Sequence, residues 1–174
     1  MAPRLLLVHS PLVGRESWEL AAAGVLIDDV RGYVFVDAGL PTPGRAWMET
    51  VPPELAARLR AMADADGWLP PWSRWWGDEA LAELLPDLDT RRRFAAGCPR
   101  LPLAMFEEVH PPAPRWPAAP GAYLRLSEAY EDEAARAREL GWPVAELISH
   151  HLALLTDPGP VAASLRELMG LAIV

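Results

Sequence analysis

Arg4-Leu5-Leu6-Leu7-Val8-His9-Ser10 carries four aliphatic side chains in succession with no polar alternation. Neither face of such a segment suits water, and a strand buried on both faces belongs in a parallel sheet covered by helices. Glu16 to Ile27 follows with helical composition, an Ala21-Ala22-Ala23-Gly24 run and Ser17 or a neighbour available as its cap. Gly32-Tyr33-Val34-Phe35-Val36 reads as a second buried strand, and Asp37-Ala38-Gly39 turns the chain after it.

From Pro41 to about Pro120 prolines recur so often that only short helices joined by rigid turns fit. Pro53 to Asp64, Asp78 to Leu85, Asp87 to Ala96 and Pro102 to His110 each show apolar residues at helical spacing behind a proline or an acidic residue. Ala122 to Leu126 resumes the strand pattern, Tyr130 to Leu140 is an amphipathic helix stopped by Gly141, and Val144 to Ile148 is a last strand. His150 and His151 come next. After Asp157-Pro158, a cap followed by proline in the first turn, a helix runs to about Met169.

The expected class is α/β, with a parallel sheet of about four strands and a helical lid inserted between the second and third. Residues 1–40 and 120–174 form the core, and residues 41–119 form the lid. In such sheets functional residues gather at the carboxyl edge of the strands. Ser10, Asp37, the stretch from Ser127 and His151 all follow strands at that edge.

Composition excludes several classes. The 174 residues carry a net charge of −8, and all 16 basic residues are arginine, so nucleic acid is not expected as a partner. Arg91, Arg92 and Arg93 form the one basic cluster, within an acidic helical stretch that reads as a solvated face. The longest apolar runs, such as Leu5 to Val8 and Ala21 to Ile27, are far shorter than the roughly 18 residues of a spanning helix, so no membrane is expected. A lone cysteine, Cys98, forms no intrachain disulfide and reads as buried packing; with no secretory leader pattern in view, a cytoplasmic location is expected. No metal or cofactor is expected.

Three stretches are similar to a known family. Leu5 to Gly14, followed by Ser17-Trp18, resembles the first core strand and His-Gly loop of α/β-hydrolases, in the branch of small esterases and hydroxynitrile lyases. Val34-Phe35-Val36-Asp37-Ala38 resembles that family's sixth strand, which leads into its cap. His151 to Pro158 resembles its ending, where the catalytic histidine precedes an apolar stretch and an acid–proline pair; the seven-residue step to Pro158 selects His151 over His150. With the lid, these stretches cover most of the chain. The resemblance implies ancestry in hydrolysis of small esters or amides.

The departures matter as much. The family's nucleophile sits on a strained Gly-x-Ser-x-Gly turn that also supplies an oxyanion donor. None of Ser10, Ser17, Ser73, Ser127, Ser149 and Ser164 has those glycines. After Trp18 the sequence jumps from the family's first helix to the end of the helix beyond the nucleophile, as in an internally truncated relative. The other oxyanion donor is expected near Pro11, which has no N–H, so Leu12 would have to substitute. Losing even one such donor costs roughly 10²–10³ in rate.

On this reading His151 is either the general base of a former triad or an idle, hydrogen-bonded residue at a strand end. The acid is expected after the Ala122–Leu126 strand, with Glu128 best placed and Glu131 and Asp132 next; all three also suit the first turn of a helix. Ser10 is the remaining candidate nucleophile, with hydrogen bonding to nearby backbone as its simpler role. His9 is the family's loop histidine, more often structural. Trp68, Trp72, Trp75 and Trp76 crowd beside Pro70 and Pro71, and either line an apolar pocket or make the lid's own core.

Three functions follow as expectations: an impaired hydrolase relative, in effect a pseudoenzyme; an apolar-ligand-binding or interaction module using the tryptophan-rich lid; and a residual esterase or lyase using Ser10 with His151. A small apolar molecule is the expected ligand. If Glu16–Ile27 connects the first strand directly to the second, the right-handed rule puts it on one face and leaves Leu5 or Leu7 poorly covered on the other. A homodimer through that uncovered face is the expected assembly.

Overall fold

The computed structural model describes residues 32–113, 116–117 and 120–172. Within them, β1 (Tyr33–Val36) is followed by α1 (Pro53–Met62), β2 (Trp68–Leu69), α2 (Asp78–Leu84), α3 (Leu88–Gly97), β3 (Leu101–Pro102) and α4 (Ala104–Glu107). Then come β4 (Gly121–Arg125), α5 (Glu131–Glu139), β5 (Val144–Glu146), α6 (Ala153–Thr156) and α7 (Pro158–Ala172). The strand expected at Arg4–Ser10 and the helix expected at Glu16–Ile27 lie outside the described residues, as do Ser10, Pro11 and Leu12. The described residues fall into two compact units, residues 32–40 with 116–117 and 120–172, and residues 41–113.

In the first unit β1, β4 and β5 form a parallel sheet in the order β1-β4-β5. Three strands are therefore seen of the four expected. The central strand, β4, is buried along its whole length. Its side chains alternate between faces, as strand geometry requires. Ala122, Leu124 and Leu126 pack with Val161 and Leu168 of α7, while Tyr123 points the other way, against Ala134 and Ala137 of α5 and Trp142. The absence of polar alternation in this segment thus reflects a strand with helices on both faces. Gly121 sits against the indole of Trp142, in space that a Cβ would occupy. Gly141, at φ +73°, ends α5 and lets the Trp142 N–H bond back to the Ala137 carbonyl at 3.0 Å.

Arg125 is nearly buried at the end of β4 and pairs with Glu146, at 2.7 Å, and with Glu131. Arg138 bonds the same two carboxylates, closing a ring of two cations and two anions between α5 and the sheet. Glu146 holds the Arg125 guanidinium more firmly protonated than usual, despite burial, and Arg125 in turn lowers the Glu146 carboxyl.

The second unit packs around Met48, Ala56, Leu59, Leu69, Trp75 and Phe106. The sequence predicts only helices and turns here, but the unit also contains a short ribbon. β2 and β3 pair antiparallel, Trp68 opposite Pro102 and Leu69 opposite Leu101. Asp64 sets up this ribbon: its Oδ1 accepts the Asp66 and Trp68 amides at 3.0 and 2.9 Å, and Gly67 takes the positive φ the turn needs. Leu101 and Pro102 are thereby drawn into a strand. The helix expected over Pro102–His110 shrinks to α4, and Val109 instead bridges Ala46. Asp87 caps α3 by accepting the Thr90 amide at 2.7 Å. Arg92 and Arg93 on that helix are exposed, and Cys98 is buried, donating to the Phe94 carbonyl at 3.3 Å.

Candidate functional site

β1 ends at Asp37, a non-glycine residue with φ of 44°. That left-handed conformation, which aspartate tolerates better than most residues, turns the side chain back toward the end of β4. The register does the rest: Val36 lies opposite Leu124, and the Asp37 N–H bonds the Leu124 carbonyl at 2.8 Å. Asp37 is completely buried.

Its carboxylate is surrounded by donors. Oδ1 accepts the Leu126 and Ser127 amides, each at 2.8 Å, and Oδ2 accepts the Ser127 hydroxyl at 2.7 Å. Nδ1 of His151 lies 2.9 Å from the same Oδ2. Burial pushes the Asp37 carboxyl up, but the bonds from His151, Ser127 and Leu126 together outweigh it and hold it below its usual value. An ionised carboxylate only accepts hydrogen bonds, so Nδ1 is the donor, and in the neutral imidazole Nε2 carries the basic lone pair.

The surroundings stiffen this pair. The Tyr123 hydroxyl donates to the Ala38 carbonyl at 2.7 Å and accepts the Ala38 amide at 3.1 Å, clasping the residue next to Asp37. Burial pushes the pKa of that phenol far above its ordinary value and keeps the hydroxyl protonated. Tyr130 lies face to face with His151, centroids 5.3 Å apart and planes 18° apart. The His151 side chain is 37% exposed, so the pair joins a buried anion to a ring that solvent reaches. His150 faces a different partner, with Nε2 3.1 Å from the Thr156 hydroxyl; burial, then the neighbouring His151, lowers its pKa.

The structure thus brings His151 to a carboxylate, but that carboxylate is Asp37 and not Glu128. Glu128 is exposed in a short 3-10 turn. Glu131, the next candidate, is engaged by Arg125 and Arg138. The reason lies in the end of β4: Leu126 and Ser127 present N–H and O–H groups there, which makes it a cradle for an anion arriving from β1. The sequence does hold a signal for Asp37, since it follows a buried strand at the same sheet edge as His151. Ser127, at that edge too, donates a hydrogen bond from its hydroxyl to the acid.

The tryptophans divide. Trp75 is buried in the second unit's core, with its indole N–H donating to the Pro70 carbonyl at 2.8 Å. Trp72 packs edge-on against Phe94, and Trp76 is 47% exposed with the Arg58 guanidinium 4.6 Å from its ring centre. Trp72 and Trp76, with Ser73, Gly77, Ala80, Leu81 and Leu84, line a small, open apolar groove. Among the described residues, no cluster of side chains suits a metal ion, and no helix is long and apolar enough to cross a membrane.

No protein-family model and no curated protein matches the chain. Among solved structures, it is similar to an extracellular α/β-hydrolase from a Paenibacillus species, described as sharing structural and functional homology with tobacco salicylic acid binding protein 2. The TM-score is 0.59 at 21% identity, and the match covers 82% of this chain but only 61% of that one. A parallel sheet whose carboxyl edge joins an acid to a histidine, with this structural match, gives the chain the fold of an α/β-hydrolase.

Proposed function

We propose that the chain is an α/β-hydrolase relative that retains an acid–base pair, Asp37 and His151, and is strongly impaired in hydrolysing small esters or amides. The observation that carries the first half is the 2.9 Å bond from Nδ1 of His151 to a buried carboxylate with three further donors. In acyl transfer, Nε2 of such a histidine takes the proton from an attacking oxygen as that oxygen bonds the acyl carbon. It then returns the proton to the departing alkoxide or amine as the old bond breaks. Asp37 keeps the required tautomer and stabilises the imidazolium formed in between. The second half rests on the serines: none of the six sits in Gly-x-Ser-x-Gly, and Ser127 bonds the acid of the pair.

The test is turnover of 4-nitrophenyl acetate by the purified chain, compared with an equal concentration of free imidazole. A rate no higher than imidazole's supports impairment. A much higher rate, lost in both Ser10→Ala and His151→Ala, overturns it in favour of a residual esterase built on Ser10 and His151. A second reading, binding of a small apolar molecule without turnover, is favoured by the groove between Trp72 and Trp76. Saturable quenching of tryptophan fluorescence by an apolar ligand, absent in Trp76→Ala, supports it.

A further inference from the structure

A hydrogen bond at Nδ1 does not by itself fix the plane of an imidazole, and a ring that swings presents Nε2 in many directions. The face of His151 is held as well as its edge. Tyr130 covers one face of the ring, with centroids 5.3 Å apart and planes 18° apart. Tyr130 is itself anchored: it packs against the cluster of Tyr123, Ala134, Ala137 and Trp142, and its N–H reaches the Ser127 carbonyl at 3.4 Å. The segment that supplies Ser127 to the edge of Asp37 therefore also supplies Tyr130 to the face of His151.

We infer that Tyr130 is a positioning residue for His151, its ring clamping the imidazole plane while Asp37 holds the edge. This rests on the reading of Asp37 and His151 as an acid–base pair. The hydroxyl is not the active part of the clamp. Burial, followed by the charges of Asp37 and Glu133, pushes the phenol up to about 12, so it stays neutral at the pH of any plausible assay. What matters is the flat ring, and Tyr130→Phe preserves it where Tyr130→Leu does not.

The experiment follows the Nδ1 proton of His151 by NMR and measures its exchange with water in the whole chain. Protection of the Leu126 and Ser127 amides, which both bond Asp37, reports whether the surrounding fold is intact. Tyr130→Phe is expected to exchange like the wild type. Tyr130→Leu is expected to exchange about threefold to tenfold faster, the size of one lost aromatic pair, with both amides still protected. Wild-type exchange in Tyr130→Leu, or equal acceleration in Tyr130→Phe, overturns the inference. Should Tyr130→Leu lose amide protection, Tyr130→Trp and Tyr130→Met take its place: the ring must retain the proton and the flexible chain release it, and equal rates overturn the clamp. No turnover enters this measurement, so failure of the hydrolase reading and failure of the clamp are separately visible.

Discussion

Replacing Asp37 with alanine removes one acceptor group that serves four donors. The cost follows from how many of those donors water can then reach. His151 is 37% exposed and Ser127 is half-buried, so both recover part of their solvation. Leu126 is fully buried, and its amide has no such recourse. A bare buried donor costs about 1–3 kcal/mol, and more when its lost partner was charged. The sum is about 3–5 kcal/mol, the range seen when one member of a buried pair is deleted. Against a typical domain stability of about 5–15 kcal/mol, that is a substantial share of the margin. Urea unfolding at pH 7, followed by tryptophan fluorescence, measures the difference. Asp37→Asn should cost less, because its carbonyl still accepts both amides, yet its NH2 group faces His151 and favours the opposite tautomer. The pH dependence has a definite sign. The folded Asp37 carboxyl lies below its ordinary value, so its stabilisation is complete above the unfolded value of about 3.9 and fades as pH falls through the folded one. The gap between wild type and Asp37→Ala is thus full at pH 7 and narrows below about pH 4. An Asp37→Ala protein within about 0.5 kcal/mol of wild type at pH 7, the range of ordinary surface changes, would refute the reasoning.

Gly121→Ala should destabilise by about 1–3 kcal/mol, because the new methyl group meets the core indole of Trp142; thermal unfolding with near-ultraviolet circular dichroism checks both the loss and the displaced indole. Leu59→Ala, in a fully buried position of the second unit, should cost about 2–5 kcal/mol in urea unfolding. Glu128→Gln should change stability by less than about 0.5 kcal/mol and leave the NMR signals of His151 unmoved, since Asp37 bonds that ring. Sedimentation velocity at two concentrations checks the homodimer expected from the sequence, and a monomer at both speaks against it.

Much of the fold was legible in local pattern. Gly32 to Val36 reads as a buried strand and Ala122 to Leu126 as a return of the strand pattern, and both lie in the parallel sheet. Asp87 and Pro158 read as helix starts, and one caps α3 while the other opens α7. Such signals survive because caps and burial periodicity act over a few residues, within reach of a reading along the chain. The ribbon of β2 and β3 was not legible. Its strands are two residues each and lie more than 30 positions apart, so neither carries a period of its own.

The candidate site divides in the same way. Sequence alone determined that Asp37, Ser127 and His151 each follow a strand, and hence that all three reach one edge of the sheet. It left open which carboxylate meets the imidazole, for the partners are 114 residues apart and several acids compete for the place. Tertiary structure decided it through two things no local pattern encodes: the register that sets β1 beside β4, and the left-handed turn at Asp37 that points its carboxylate at the free amides of Leu126 and Ser127. Once those donors were committed to an anion from β1, the end of β4 became its cradle, and His151 completed the shell around it.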